Sequence, residues 1–317
     1  MGKQPLVVLT GPTAVGKTKA SIGLAHAIGG EIISADSMQV YRHMDIGSAK
    51  IKKEEMDGVR HHLIDVLDPE EEFHVVRFQQ MAKEAMKEIY AAGHIPIIAG
   101  GTGFYIQALL YDINFEESEQ DDALREELEQ YAQEHGAEAL HDRLALVDPK
   151  SAEEIHAHNV KRVIRAIEFY EQTGMPISEH NEKERQKVSP YEFRYFVLND
   201  ERSHLYERIN ARVDEMLAQG LVEEVRALKA RGCTKDMVSM QGLGYKEILE
   251  YLEGTCTLEE AVYRLKRDTR HFAKRQITWF KRERDVIWID KKEHNYDEKK
   301  ILDTMLTQLK GIRQIWL

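Results

Sequence analysis

Two cysteines in 317 residues, Cys233 and Cys256, are too few for a disulfide framework and form no metal-ligand cluster. No apolar run approaches the roughly 18 residues that a membrane span needs. Met1-Gly2-Lys3 leads straight into a short apolar run with no signal-peptide pattern, so a cytoplasmic protein away from the membrane is expected. Internal repeats and low-complexity linkers are also missing. Basic residues are in deficit: 44 Lys and Arg face 55 Asp and Glu, a net charge of −11 that on its sum argues against nucleic acid. The distribution says more than the sum. Residues 116–134 carry nine acids and one base, Arg125, whereas residues 264–284 carry nine Lys or Arg against Asp268 and Glu283. A polyanion meets local potential, because each Lys or Arg on a phosphate releases condensed counterions. By composition alone the basic run is either a solvated helix face or a polyanion-binding surface.

What is present is the composition of a soluble globular chain, 42% hydrophobic and 31% charged, long enough for a large core and a second unit. Short β-branched runs alternate with helical periods, the pattern of a mostly parallel α/β sheet. Strands are expected at Leu6–Thr10, Glu31–Ser34, His62–Val66, Ile95–Ala99, Arg194–Leu198 and Val286–Ile289. Helices are expected between them at Lys17–Ile28, Val75–Ala92 and Gly103–Leu110. From about Asp112 to Pro190 no strand pattern is found, only helical stretches at Asp121–Glu134, Ala137–Val147, Ser151–His156 and Val160–Thr173. Strand, long excursion and strand again is how an inserted all-helical subdomain reads. The expected divisions are 1–111 for the first part of the core, 112–190 for the insertion and 191–317 for the rest. The last part holds helices near Ser203–Gln219, Leu221–Arg231, Gly244–Glu253, Leu258–Arg284 and Asp297–Gly311.

Gly11-Pro12-Thr13-Ala14-Val15-Gly16-Lys17-Thr18 fits the phosphate loop G-x-x-x-x-G-K-[ST] at every fixed position, between an expected strand and an expected helix. The glycines let the backbone wrap a polyphosphate with its N–H groups, and the helix N-terminus adds positive potential. Lys17 is placed to neutralise terminal phosphate oxygens and Thr18 to hold Mg²⁺. The loop does not say which phosphate it holds, or whether a nucleotide such as ATP binds there.

Other strand ends should open into the same crevice, because carboxyl ends of parallel strands face the ligand. Asp36 follows the second expected strand at once and is either a general base or a cap of the next turn. Asp65, after Leu63-Ile64, is a weak candidate metal carboxylate. Gly100-Gly101-Thr102-Gly103 follows a third strand, its glycines permitting close backbone approach. Arg208 and Arg212 share a helix face and either reach an anionic leaving group or pair with Glu207 and Glu215. His61 and His62 are adjacent, cannot point the same way along a strand, and read as structural. Trp279 and Phe280 are placed to stack on bases or to join the core.

Taken together these segments resemble the bacterial tRNA dimethylallyltransferases, also called isopentenyl-diphosphate:tRNA transferases. The resemblance rests on the loop at 11–18, Ile-Ser-Ala-Asp-Ser-Met-Gln-Val-Tyr at 33–41, and Met-Asp-Ile-Gly-Ser-Ala-Lys at 44–50. It continues with Ile-Ala-Gly-Gly-Thr-Gly at 98–103, Leu-Gly-Tyr-Lys-Glu at 243–247 and Ala-Lys-Arg-Gln-Ile-Thr-Trp-Phe at 273–280. Ser48 stands where many relatives have Thr, and it keeps the hydroxyl.

The resemblance implies a P-loop NTPase-like core and transfer of a dimethylallyl group from dimethylallyl diphosphate to N6 of the adenosine immediately 3′ of a tRNA anticodon. Asp36 matches the family's general base and Arg212 its diphosphate arginine. Lys17, Thr18 and Mg²⁺ would then stabilise the leaving diphosphate. Family tRNA contacts map to Asp36, Ser37, Met38, Gln39, Thr102 and Arg125. They map further to Lys161, Arg162, Val163, Ile164 and Arg165; to Gln241, Gly242, Leu243, Gly244, Tyr245 and Lys246; and to Lys274, Arg275, Gln276 and Trp279. A monomer is expected, since tRNA would occupy much of the crevice face. Two other readings share the loop: a nucleoside or small-molecule kinase with Asp36 activating a hydroxyl, and a P-loop switch without group transfer. The first does not account for the basic run, and the second lacks a strong second metal carboxylate.

Overall fold

The computed structural model describes residues 2–115 and 122–312. Two compact units emerge, one running up to Leu110 and resuming at Pro190, the other lying between Tyr111 and Ser189. In the first unit six parallel strands form one sheet: β1 (Gln4–Thr10), β2 (Gly30–Ala35), β3 (His61–His62), β4 (Ile95–Gly100), β5 (Tyr191–Asn199) and β6 (Val286–Asp290). Their order is β3-β2-β4-β1-β5-β6. All six expected strands are present, but the third is cut to two residues. Leu63 and Asp65 take left-handed backbone angles, φ 61° and 55°, which end the extended chain where an apolar run suggested it would continue.

β1 lies between β4 and β5, and its residues from Pro5 to Thr10 are buried, as a central parallel strand covered on both faces requires. Val7 and Leu9 join Ile32 and Ile97 in one core with Leu24, Ala25 and Ile28 of α1 (Lys17–Ile28). The alternate residues Leu6, Val8, Ile33 and Ile98 point to the other face by the two-residue period of a strand. There lie α2 (Val75–Ala91) and α3 (Gly103–Leu110), with Phe78 stacked on Tyr105 at 4.8 Å. Each fully buried Leu, Ile or Val contributes about 1.5–3 kcal/mol relative to exposure.

The helical unit holds α4 (Asp122–His135), α5 (Ala137–Val147), α6 (Pro149–Glu154), α7 (Val160–Thr173) and α8 (Ile177–Arg185). The acidic run begins outside the described residues, at 116–121. α6 starts earlier than its pattern suggested, because Asp148 caps it by accepting from Ser151 N–H at 3.0 Å, with Pro149 in the first turn. α8 had too few apolar residues to be read from period. Leu128, Leu140, Leu144, Val163, Ile164 and Ile167 form this unit's own core.

After β5 come α9 (Arg202–Ala218), α10 (Leu221–Ala230), α11 (Tyr245–Leu252), α12 (Leu258–Phe280) and, beyond β6, α13 (Glu298–Leu309). α12 stops at Phe280, so Lys281, Arg282 and Arg284 lie past the helix rather than on it. Among the described residues no helix is long and apolar enough to cross a membrane.

Candidate active site

Strand register brings the candidate residues to one edge of the sheet. Thr10 and Ala35 both stand level with Gly100, so the segments starting at Gly11, Asp36 and Gly101 leave the sheet side by side. α1 begins at Lys17 without a side-chain cap. The N–H groups of Gly16, Lys17 and Thr18 have no hydrogen-bond partner among the described residues, which leaves a set of donors at a helix start. Lys17 Nζ donates to the carbonyls of Gly11 and Pro12, each at 2.9 Å, and keeps its third proton for another acceptor.

Burial lowers the Lys17 pKa from 10.5 to about 8; the Asp36 carboxylate opposes that shift and the Arg212 guanidinium adds to it. Unfolding therefore takes up a proton between about pH 8 and 10.5, and this lysine's contribution to stability rises with pH across that window. An anion on Nζ restores the proton. Phosphate-donor binding should take up protons above about pH 8 and not at pH 7, and kcat/KM for the donor should fall as pH rises through 8. Calorimetry in buffers of different ionisation enthalpy checks this; equal proton uptake at pH 7 and pH 9 contradicts it.

Asp36 is the turn cap that its sequence position offered as one of two roles. Its Oδ1 accepts from the N–H groups of Met38 at 2.9 Å and Gln39 at 3.3 Å, an Asx turn. Its Oδ2 makes no hydrogen bond among the described residues, so one oxygen holds the turn and the other is open to chemistry. Gln39 accepts from Ser34 Oγ at 3.2 Å and donates to Ala49 O at 3.4 Å. Ser37 and Met38 are half-buried beside it. The segment that follows is pinned twice. Buried Lys50 donates to Tyr41 O and Asp45, each at 2.6 Å, and to Asp65, so an internal ion pair occupies this candidate metal carboxylate. Glu224 of α10 accepts from three successive N–H groups, of Asp45, Ile46 and Gly47, at 2.8–3.0 Å. Tyr245, wholly buried, donates its hydroxyl to Glu224 at 2.9 Å and accepts from Ser48 N–H at 3.1 Å.

The turn after β4 is locked to α12. Thr102 N–H reaches Ala35 O at 3.2 Å, joining this turn to the end of β2. Gln276 accepts from Thr13 N–H at 2.8 Å and donates to Gly101 O at 3.0 Å, so one amide clamps the phosphate loop to the turn. A Cβ at Gly101 would lie 2.3 Å from Gln276 Nε2, and one at Gly103 2.2 Å from Trp279 Cδ1. Glycine is required at both by close approach. Trp279 meets Phe104 edge-on at 6.2 Å, while Phe280 is fully buried. Lys274 and Arg275 are exposed and line a shallow basic groove with His271, Thr278 and Arg282. Gln241 is exposed, Leu243 and Lys246 are half-buried, and Gly242 packs on the Met38 methyl.

Arg212 of α9 makes neither a hydrogen bond nor an ion pair among the described residues. Burial and the Arg208 guanidinium lower its pKa, with Glu215 opposing. Arg208 donates from Nε to Ala14 O at 2.8 Å. His62 and His94 both contact buried Glu31 at 2.6 Å, and His61 contacts Val59 O at 2.9 Å. In the helical unit Arg125 pairs in bidentate fashion with buried Glu168 at 2.8 and 2.9 Å. Val163 and Ile164 face that unit's core, while Lys161, Arg162 and Arg165 are exposed on α7. Sequence reading missed Lys291, directly after β6, whose Nζ donates to Val15 O at 3.1 Å. The strand-end rule that found Asp36 applies to it equally.

The family model described as IPP transferase matches residues 39–283. The chain belongs to the IPP transferase family. It is 65% identical over 294 residues, 93% of this chain and 94% of the relative, to the tRNA dimethylallyltransferase of Lachnoclostridium phytofermentans. Among solved structures, the full-length tRNA isopentenylpyrophosphate transferase of Bacillus halodurans is 45% identical, covers 97% of each chain and superposes with a TM-score of 0.73. A eukaryotic dimethylallyltransferase acting on tRNA is 30% identical with a TM-score of 0.78, over 90% of this chain and 74% of that one. The IPP transferase match opens just after Asp36 and takes in the 98–103, 243–247 and 273–280 segments, the first and last of which pack together here. The solved relatives carry the parallel-sheet, P-loop NTPase-like fold described above.

Proposed function

We propose that this IPP transferase family member transfers a dimethylallyl group from dimethylallyl diphosphate to N6 of the adenosine immediately 3′ of the anticodon in tRNA. The observation that carries it is the shared electrostatic neighbourhood of Lys17, Asp36 and Arg212, with an uncommitted carboxylate oxygen beside an anion cradle. Adenine N6 is a poor nucleophile because its lone pair is delocalised into the ring. Asp36 Oδ2 takes its proton as the bond to C1 of the prenyl group forms and the C1–O bond to diphosphate breaks. The third proton of Lys17, the loop N–H groups and Arg212 receive the charge that develops on the departing diphosphate. The base must leave its stack to reach this crevice, at a modest cost.

Among the described residues the Thr18 hydroxyl has no protein partner, and no group of three His, Cys, Asp or Glu is placed to hold a metal. That donor set fits Mg²⁺, which keeps waters and takes substrate phosphates in place of a protein cage. When bound it neutralises diphosphate oxygens; Thr18 would hold it. The enzyme acts as a monomer in the cytoplasm. Recognition of tRNA uses the loop at 36–39, Thr102, the 241–246 segment, the basic face of α12 and the exposed bases of α7. Val163, Ile164, Tyr245 and Gln276 support those surfaces from within.

Incubation with unmodified tRNA, Mg²⁺ and either labelled dimethylallyl diphosphate or ATP labelled at its γ-phosphate tests this. Label passing from the prenyl donor to tRNA is expected; phosphate passing from ATP to an acceptor means a kinase and contradicts it. Lys161→Ala and Arg162→Ala should each weaken tRNA binding and reduce its log–log salt slope by about one. Unchanged slopes in filter binding would remove α7 from the interface.

A further inference from the structure

The phosphate loop is gripped from outside by two cations that the proposed chemistry does not use. Lys291, 8% exposed at the end of β6, donates to Val15 O at 3.1 Å. Arg208, on α9, donates to the neighbouring Ala14 O at 2.8 Å. Both converge on Gly16: a Cβ there would lie 3.1 Å from Lys291 Nζ and 3.9 Å from Arg208 Nη2. A carbonyl and the N–H of the next residue belong to one peptide unit. A cation on Val15 O therefore polarises the Gly16 N–H, one of the unpartnered donors of the cradle, and one on Ala14 O acts on the Val15 N–H, which closes the loop on Pro12 O at 3.4 Å.

The arrangement has an internal cost. Burial lowers the pKa of Lys291, Arg212 and Lys17; Arg208 adds to this at the first two and Arg212 at the third, so the four cations repel one another in turn. Asp200 beside Lys291, Glu215 beside Arg212 and Asp36 beside Lys17 offset part of this. Such a row suits a site built to receive several negative charges at once. The hydrogen bonds of Lys291 and Arg208 to the loop run to Val15 O and Ala14 O. They address its carbonyl face.

We infer that Lys291 and Arg208 are positioning residues of the diphosphate site, fixing the phosphate loop through the carbonyls of Val15 and Ala14 and strengthening its N–H donors. This rests on the reading of the loop as a diphosphate holder. Their removal lowers affinity for the diphosphate group rather than the rate of proton removal by Asp36, and charge, more than shape, is what matters.

The test is calorimetric binding of inorganic diphosphate with Mg²⁺ to the whole protein, with melting temperatures recorded alongside. Lys291→Met should raise Kd about tenfold, the effect of losing one charge-assisted contact, and raise KM for the prenyl donor similarly with kcat within about threefold. Lys291→Arg should return both to within about threefold of the wild type. Arg208→Gln acts on the neighbouring carbonyl and gives the same comparison if Lys291→Met does not fold. Wild-type binding, loss in Lys17→Met, and unchanged affinity in the folded Lys291 or Arg208 variant overturn the inference alone. Failure of the wild type to bind diphosphate overturns the reading of the loop and the inference with it.

Discussion

Asp36→Asn is expected to lower kcat by about 10²–10⁴-fold, the range of a lost general base, while leaving the Kd for dimethylallyl diphosphate within about threefold. Asparagine is the informative replacement because Asp36 has two separable roles. Its Oδ1 holds the turn through Met38 and Gln39, and an amide oxygen can keep accepting from both. What is lost is the ability of the second oxygen to take a proton, together with the carboxylate charge that favours the Lys17 ammonium. Asp36→Ala removes both roles, and should lose a similar factor in kcat plus some stability from the released turn. Single-turnover kinetics separate the cases. An asparagine variant with near-normal turnover, beside an inactive alanine variant, would make Asp36 a cap and not a base.

Arg212→Met should move activity and stability in opposite directions. The guanidinium is half-buried without a hydrogen bond or an ion pair among the described residues, and Arg208 repels it. Such a group is a cost to the folded state unless a ligand arrives. Methionine fills similar space without the charge, so the melting temperature should stay level or rise. Charge on the departing diphosphate loses a preorganised donor, so kcat/KM for the prenyl donor should fall by about 10²–10³. Differential scanning calorimetry and steady-state kinetics on the same preparation read both. A drop in melting temperature with activity retained would make Arg212 structural.

Most of this architecture is legible in the sequence because parallel strands buried on both faces read as apolar runs, with a functional residue just past each carboxyl end. Asp36 and Gly100–Gly103 follow from that rule and Gly11–Thr18 from its phosphate-loop spacing, and register places all three level. What escaped reading was long-range hydrogen bonding. Nothing local marks Gln276 as the clamp between Thr13 and Gly101, or Glu224 as the acceptor for three N–H groups of 45–47, because each partner lies more than a hundred residues away. Tyr245, mapped with its neighbours among the tRNA contacts, is wholly buried, its hydroxyl held between Glu224 and Ser48. The third strand is shorter than expected for a local reason. Leu63 and Asp65 adopt left-handed angles that Leu63-Ile64-Asp65-Val66 gives no sign of, and the Lys50–Asp65 ion pair accompanies that bend. Lys291 was within reach of the strand-end rule, but its side chain turns to a carbonyl rather than to the crevice.

The most direct measurement of the central claim is mass spectrometry of nuclease-digested tRNA after reaction, with released diphosphate counted in parallel. Wild-type protein should yield a single adenosine carrying one dimethylallyl group on N6, next to the anticodon on its 3′ side, with one diphosphate released per group transferred and neither product from Asp36→Asn on that timescale. Unmodified tRNA with diphosphate release uncoupled from transfer, or a phosphorylated product formed from ATP, would contradict it.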